Sequence, residues 1–319
     1  MRSAAGAPAA PDLRRRSSMP SSKPMVATLI AAPEATLSDA TARAVAQALP
    51  DADAAVWLAP GRAADVFFAP PPGADASAPA EAARRAIAGA PVDVVAQPAA
   101  GRRKRLLVAD MDSTMIGQEC IDELADFAGL KAKVSAITER AMRGEIPFEA
   151  ALDERVALLA GLPDTIVAET LATRIAPNPG ARILVATMRT HGAHCALVSG
   201  GFTVFTGPIA ELLGFHEHRS NALIVEGGRF AGRVARPILG REAKLAALRE
   251  IAARLGLAPG ETLAVGDGAN DLAMLEAAGL GVAYRAKPAV AAAAHARIDR
   301  ADLTALLYAQ GYRPEDFAA

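Results

Sequence analysis

Residues 105–114 read Arg-Leu-Leu-Val-Ala-Asp-Met-Asp-Ser-Thr, an apolar run that ends in two carboxylates. The apolar half predicts a buried strand over residues 105–109. In an extended chain, side chains two positions apart share a face, so we expect Asp110 and Asp112 to point into one cleft. Neighbouring carboxylates repel each other unless a cation lies between them, and Mg²⁺ prefers oxygen ligands of this kind. A strand end followed by an ordinary helix cap is the alternative.

A second acidic segment lies far downstream, where Gly266-Asp267-Gly268-Ala269-Asn270-Asp271 follows another apolar run. Alone, this segment is also typical of a turn that opens a helix. The apolar runs predicted as strands are 105–109, 194–198, 262–265, 279–284 and 296–298. Runs that are apolar on both faces indicate a parallel sheet covered by helices, and ligands bind such sheets beyond the carboxyl ends of the strands. Asp110, Ser199 and Asp267 each follow a strand, so we expect them at one rim.

Two insertions interrupt this α/β plan. Residues 119 to about 187 contain helical patterns only and predict a helical cap inserted after the first strand. Residues 221–234 have two apolar arms around Glu-Gly-Gly and predict a β-hairpin. Both insertions could screen the predicted site from water.

The first hundred residues form a separate unit. Residues 1–23 predict a disordered tail, and residues 24–98 predict the order strand, helix, strand, strand, helix, strand. This order favours a ferredoxin-like α+β domain that resembles the amino-acid-binding ACT type. Ligand binding, formation of a homodimer and a purely structural role are all open for it. Residues 99–319 would form the second domain.

Composition excludes several classes of protein. The formal net charge of the 319 residues is -1, which gives no electrostatic reason to expect a nucleic-acid partner. The two cysteines, Cys120 and Cys195, have no metal-site spacing, which favours a reducing cytoplasm. No apolar run is long enough to cross a membrane, so we expect no membrane partner.

Four motifs in order give the chain a family resemblance. They are Asp110-x-Asp112-x-Thr114, Ser199-Gly200-Gly201, Lys244 and Gly266-Asp267-Gly268-x-Asn270-Asp271. In this order they resemble the four motifs of the haloacid-dehalogenase-like phosphohydrolases, over roughly residues 104–310. The resemblance implies a Rossmann-like parallel-sheet core with a helical cap, and Mg²⁺-dependent phosphoryl transfer.

The resemblance also implies a separate role for each acidic residue. Asp110 would attack phosphorus, while Asp112 would protonate the leaving oxygen and then activate water. The side chains of Asp110 and Asp267 and the main-chain oxygen of Asp112 would hold Mg²⁺. Asp271 would order Lys244 or a metal-bound water.

The remaining motif residues would bind phosphate. Ser199 offers a hydroxyl, Gly200 an unobstructed main-chain N–H, and Lys244 a positive charge. Asn270 would contact substrate or phosphate. Without the other motifs, Lys244 would be an ordinary surface lysine on a helix.

Two cap residues would select the substrate. With Glu119, the first motif resembles that of family members that act on O-phosphoserine, a small molecule. Glu119 would bind its ammonium and Arg155 its carboxylate, with Met142 and Phe148 lining the pocket. Taken singly, Glu119 and Arg155 are also typical of solvated helix charges.

Two other functions are compatible with these residues. One is a related phosphatase or phosphotransferase acting on another small phosphoester, since the core motifs specify the chemistry and only the cap specifies the substrate. The other is a sensor that accepts phosphate or an amino acid without turnover, although a sensor needs neither Asp112 as a proton donor nor a cap.

Overall fold

The computed structural model describes residues 22–73, 78–87, 89–142 and 145–318, apart from the side chains of Ala141 and Met142. Residues 1–21 of the predicted tail lie outside the described residues. The described part of the chain forms a four-stranded sheet, a six-stranded sheet and a two-stranded hairpin. No helix in these ranges is long and apolar enough to cross a membrane.

The N-terminal sheet has the predicted ferredoxin-like form. Its elements are β1 (Met25–Ala31), α1 (Asp39–Ala48), β2 (Val56–Ala59), β3 (Ala63–Phe68), α2 (Ala78–Ala86) and β4 (Val92–Pro98). The strands pair antiparallel in the order β4-β1-β3-β2. Alternation along β1 directs Ala27 and Leu29 towards the two helices and Ile30 towards the rest of the chain. Both faces of this sheet are therefore covered.

The larger sheet confirms the predicted parallel α/β core. Its strands are β5 (Leu106–Ala109), β6 (His194–Phe202), β7 (Glu217–Asn221), β10 (Thr262–Gly266), β11 (Leu280–Tyr284) and β12 (Ala296–Ile298). All pairs are parallel, in the order β12-β11-β10-β5-β6-β7. The sequence did not predict β7, because its Glu-His-Arg-Ser-Asn run lies at an open sheet edge where polar side chains are favoured.

Helical segments occupy the region predicted for the cap. Four of them follow β5: α3 (Cys120–Phe127), α4 (Lys131–Met142), α5 (Phe148–Ala157) and α6 (Ile166–Thr173). The core elements that come after them are α7 (Ala181–Thr190), α8 (Thr203–Leu213), α9 (Arg241–Arg254), α10 (Leu272–Ala277), α11 (Pro288–Ala293) and α12 (Ala305–Ala309).

The predicted hairpin is also present, as β8 (Leu223–Glu226) and β9 (Arg229–Val234). It is joined to the segment between α5 and α6 of the cap by main-chain hydrogen bonds. The N–H of Gly161 donates to the carbonyl of Phe230 at 2.8 Å, and the N–H of Phe230 donates to the carbonyl of Leu162 at 3.0 Å. These hydrogen bonds attach the hairpin to the cap.

The N-terminal sheet is fastened to the larger sheet through buried polar contacts. The Asp93 carboxylate on β4 accepts main-chain N–H groups of Asp299, Arg300 and Ala301 at 2.8–3.1 Å. The side-chain amide of Gln97 donates to the carbonyl of Ala309 at 2.7 Å. Since a buried carboxylate is costly without such partners, these bonds specify how the two sheets meet.

Candidate active site

Three neighbouring strands carry the predicted motifs to one cavity. β5 pairs with β6 on one side and with β10 on the other, so their carboxyl ends lie together. Asp110, Ser199 and Asp267 accordingly line one cavity of about 610 Å³. The structure brings these three residues together at the rim where the sequence predicted them.

Asp110 lies at the buried end of β5. Its Oδ1 accepts a hydrogen bond from Lys244 Nζ at 2.7 Å and one from the main-chain N–H of Met111 at 2.8 Å. Burial, reinforced by the negative charge of Asp271, raises the pKa of Asp110 well above its usual range. The chain then makes a wide turn in which Ser113 has a φ of 55°, in the left-handed region. This turn returns the chain to the cavity.

Asp112 lies beside Asp110 in the cavity and is held by two donors. Its Oδ1 accepts the main-chain N–H of Cys120 at 2.8 Å, and its Oδ2 accepts the hydroxyl of Ser199 at 3.2 Å. Burial raises the pKa of Asp112, which favours the protonated form that a proton donor needs. A Cβ at Gly201 would lie 2.9 Å from Asp112 Oδ2, so this position requires glycine. The sequence analysis included Gly201 in a motif without assigning it this role.

An acidic cluster lies deeper in the site. Carboxylate oxygens of Asp110, Asp267 and Asp271 are within 4.8 Å of one another. Burial, followed by repulsion from Asp271, raises the pKa of Asp267 to about 6. Thr114 fixes this side chain by donating its hydroxyl to Asp267 Oδ1 at 3.1 Å. Lys244 neutralises only part of the negative charge of these carboxylates, and a divalent cation would neutralise the rest. A donor set made only of oxygens suits a hard metal ion.

Lys244 is a buried residue of α9, with an exposed fraction of 1%. Its Nζ lies 2.7 Å from Asp110 Oδ1 and 2.6 Å from Asp271 Oδ1. Burial alone would lower the pKa of Lys244, but the two carboxylates outweigh it and raise that pKa. Asp271 Oδ2 also accepts the N–H of Gly268 at 3.0 Å. A Cβ at Gly266 would overlap the Asp271 carboxylate, so glycine is needed there as well.

Of the predicted phosphate-binding residues, Ser199, Gly200 and Asn270 line the same cavity, whereas Lys244 does not line it and is buried next to Asp110. Ser199 is fully buried, and its hydroxyl accepts the main-chain N–H of Gly201 at 2.9 Å. With Lys244 behind them, these groups can surround a phosphoryl group held next to Asp110.

The cap contributes Glu119 and Arg155 to the cavity. The Ser113 hydroxyl donates to Glu119 Oε1 at 2.7 Å, and Arg155 Nε donates to the carbonyl of Ala151 at 3.2 Å. Restricted hydration, followed by repulsion from Asp112, raises the pKa of Glu119 to about 7. Burial lowers the pKa of Arg155. The cap therefore places at least one acidic side chain and one guanidinium group in the cavity.

Other residues complete the lining. Phe148 lines the cavity as expected, whereas the side chain of Met142 lies outside the described residues. Asp122 and Lys287 also line it, although neither was among the predicted site residues. Asp122 lies three positions after Glu119, and Lys287 shortly follows β11, so helical periodicity and the strand-end rule could have identified both.

These groups together satisfy the requirements of phosphoryl transfer. The site contains a carboxylate that could act as a nucleophile, a neighbouring acid with a raised pKa, a buried lysine and an acidic cluster that could hold a metal ion. Phosphoryl transfer depends on in-line attack, charge neutralisation and protonation of the leaving oxygen. The arrangement can supply each of them from this chain and one cation.

Comparison with known proteins agrees with this chemistry. The family model described as haloacid dehalogenase-like hydrolase matches residues 107–276. A curated phosphoserine phosphatase of Streptomyces coelicolor is 43% identical over 238 residues, which are 75% of this chain and 58% of that protein. The chain thus spans less than two thirds of the length of this relative.

Solved structures show the same relationship. A HAD family hydrolase from Salmonella enterica serovar Typhi superposes with a TM-score of 0.77 at 27% identity, covering 89% of this chain and 98% of its own. A phosphoserine phosphatase with an analogue of the phospho-aspartyl intermediate has a TM-score of 0.60 at 39% identity. That match covers 65% of this chain and 98% of the other.

Proposed function

The chain belongs to the haloacid dehalogenase-like hydrolase family, and we propose that it hydrolyses O-phospho-L-serine to L-serine and inorganic phosphate. The observation that carries this proposal is the placement of the cap residues Glu119 and Arg155 in one cavity with Asp110 and Asp112. The similarity to a phosphoserine phosphatase at 43% identity supports the same substrate.

The first half-reaction transfers the phosphoryl group to Asp110. A carboxylate oxygen of Asp110 attacks phosphorus, and the bond from phosphorus to the serine oxygen breaks. Asp112 gives its proton to the departing oxygen, which leaves as the serine hydroxyl. In the second half-reaction the Asp112 carboxylate takes a proton from water. That water attacks phosphorus, releases phosphate and restores Asp110.

Family members generally use a metal ion, and we propose Mg²⁺ for this one. The side chains of Asp110 and Asp267 and the main-chain oxygen of Asp112 would hold it, since carboxylates of the first two belong to the acidic cluster. When bound, Mg²⁺ supplies positive charge to the phosphoryl oxygens. Asp271 orders Lys244, to which it is bonded at 2.6 Å.

The phosphoryl group would lie between three other groups of the core. Ser199 offers its hydroxyl and Gly200 its main-chain N–H. Lys244 offers a positive charge, whose attraction to the phosphoryl oxygens strengthens as negative charge develops on them. Asn270, which also lines the cavity, would contact substrate or phosphate. Both cysteines are free and buried, which supports a reducing cytoplasm as the compartment.

Phosphate release from L-phosphoserine tests the proposed function directly. We expect multiple turnovers with Mg²⁺, loss of nearly all activity in excess EDTA, and recovery when Mg²⁺ is added back. Release is measured colorimetrically in steady state, beside a panel of phosphomonoesters without an amino-acid head. Equal rates on that panel would contradict the substrate assignment, and a single turnover would indicate a sensor.

Glu119→Gln tests recognition of the ammonium group. Losing a charge-assisted hydrogen bond of about 1.5–3 kcal/mol is expected to raise KM for phosphoserine by about 10- to 100-fold. Because the pKa of Glu119 is raised to about 7, its carboxylate forms only as the pH rises through that value. We therefore expect kcat/KM of the wild type to rise with pH there, and that rise to be weaker in the variant.

The matched control is Glu123→Gln, which changes an acid of the same helix that pairs with Arg174 and does not line the cavity. Its KM should stay within about twofold of the wild type, as for most surface changes. Equal effects of the two substitutions on KM would remove Glu119 from the substrate site.

A further inference from the structure

The cavity has an unfavourable charge for an anionic substrate. Among the described residues that line it, carboxyl side chains outnumber cationic ones. They are Asp110, Asp112, Glu119, Asp122 and Asp267, against Arg155 and Lys287. A phosphate ester that also carries a carboxylate must enter this cavity, where those carboxyl groups that are ionised repel it. Even with one divalent cation bound, the cationic side chains at the cavity surface decide how readily an anion enters.

One of the two lining cations comes from the cap and the other from the core. Arg155 belongs to α5 of the cap, whereas Lys287 follows β11, the strand next to β10. Lys287 is therefore on the same wall as Asp267 and Asn270. Its charge is among the influences that lower the pKa of Asp267, against the larger effect of burial.

The backbone fixes where Lys287 stands. Arg285, just after β11, has a φ of 46°, a left-handed conformation that few residues other than glycine adopt. Pro288 then begins α11 and holds the residue before it in an extended conformation. The Lys287 carbonyl accepts the N–H groups of Val290 and Ala291 at 2.9 and 3.0 Å. The turn at Arg285 and the start of α11 thus hold the backbone of Lys287 close to the carboxyl end of β11.

Lys244 is poorly placed for the same task. It is 1% exposed and is not among the residues that line the cavity. It can interact with a phosphoryl group that is already bound next to Asp110, but it exerts little electrostatic attraction on an anion that is still in solvent. Lys287, in contrast, is exposed and lines the cavity, so its charge acts on an anion that approaches from solvent.

We propose that Lys287 is the cation that attracts the phosphate group of the substrate as the substrate enters the cavity. It draws the phosphate dianion to the core side of the cavity, while Arg155 of the cap takes the carboxylate, so the two cations also orient the substrate. This inference rests on the proposed function. Lys287 acts on capture and retention of phosphate and takes no part in bond making or breaking.

Charge removal at Lys287 tests the inference in the full-length protein with Mg²⁺. We expect Lys287→Met to raise both KM for L-phosphoserine and Kd for inorganic phosphate by about tenfold at an ionic strength of about 0.02 M. The difference from wild type should shrink to about twofold at an ionic strength of about 0.5 M, because salt screens an exposed charge. kcat should stay within about twofold, since only substrate capture is altered.

Two further variants make the comparison specific. Lys287→Arg keeps the charge and is expected to keep KM and Kd within about threefold. Lys133→Met removes an exposed lysine of the cap that does not line the cavity, and it should behave as wild type. Thermal unfolding of each variant checks that α11 is intact.

The outcomes separate this inference from the proposed function. Unchanged phosphate affinity in Lys287→Met overturns it, and so does a fall in kcat with unchanged KM. An equal effect in Lys133→Met also overturns it, since the effect would then reflect net charge alone. Affinity for inorganic phosphate is measured by calorimetry without turnover. Failure of the wild type to hydrolyse phosphoserine would therefore count against the substrate and leave the affinity comparison valid.

Discussion

Asp110→Asn is expected to lower phosphate release from L-phosphoserine by about four orders of magnitude or more, as loss of a covalent nucleophile does in other enzymes. The amide has nearly the same shape but cannot attack phosphorus or form the acyl phosphate. The fold should persist, because Lys244 keeps its contact with Asp271 at 2.6 Å. Initial rates and circular dichroism on the same preparation measure both effects.

The expected stability of this variant follows from the sign of the pKa shift. Burial raises the pKa of Asp110, so the ionised carboxylate costs folding free energy at neutral pH. A neutral amide removes that cost, so the melting temperature in EDTA should be equal to or above that of the wild type. Asp153→Asn, on the outer face of the cap beside Arg236, is the control and should leave turnover unchanged. Near-normal hydrolysis by Asp110→Asn would refute the assignment of the nucleophile.

Local sequence patterns were sufficient to predict the core strands and the rim where the site lies. Strands such as β5 and β10 are apolar on both faces and end in acidic motifs, so periodicity and the strand-end rule locate them. β7 was not predicted, because a strand at the edge of a sheet pairs with only one other strand and is not required to have apolar side chains. Its polar run is typical of a loop when it is considered alone.

The burial of Lys244 also left a signal that the sequence analysis did not use. On α9, this lysine is on the same face as Ala247, Leu248 and Ile251, which are all buried. A lysine at a core-facing position of an amphipathic helix is costly unless a carboxylate meets it. The identity of those carboxylates could be inferred only from the family motifs, because Asp110 and Asp271 are distant in the sequence.

Contacts between distant segments were beyond prediction from one sequence. The Asp93 carboxylate binds main-chain N–H groups at residues 299–301, and nothing in either segment indicates the other. The same holds for the Cys120 N–H that orients Asp112, because it depends on the left-handed turn at Ser113. Such contacts depend on the folded positions of whole elements, which local patterns do not specify.

Lys244→Met is expected to lower kcat by about 10²- to 10³-fold, because a preorganised charge that stabilises the transition state is lost. It should also lower the free energy of unfolding by about 3–5 kcal/mol in EDTA, since removing one partner leaves buried charges uncompensated. Steady-state kinetics and urea unfolding measure these effects separately. Lys104→Met is the control, because Lys104 is a buried lysine that donates to the carbonyls of Gly101 and Gly260 away from the cavity.

A double variant separates the two roles of Lys244. Adding Asp271→Asn to Lys244→Met removes one of the two carboxylates that the lysine neutralised, at 2.6 Å. We expect it to restore at least half of the lost stability, because mutations of contacting residues are not additive. Activity should stay low, since no cation returns to the phosphoryl group. Recovery of kcat together with stability would mean that Lys244 serves catalysis only by holding the acidic cluster together, and its proposed contact with phosphate would be wrong.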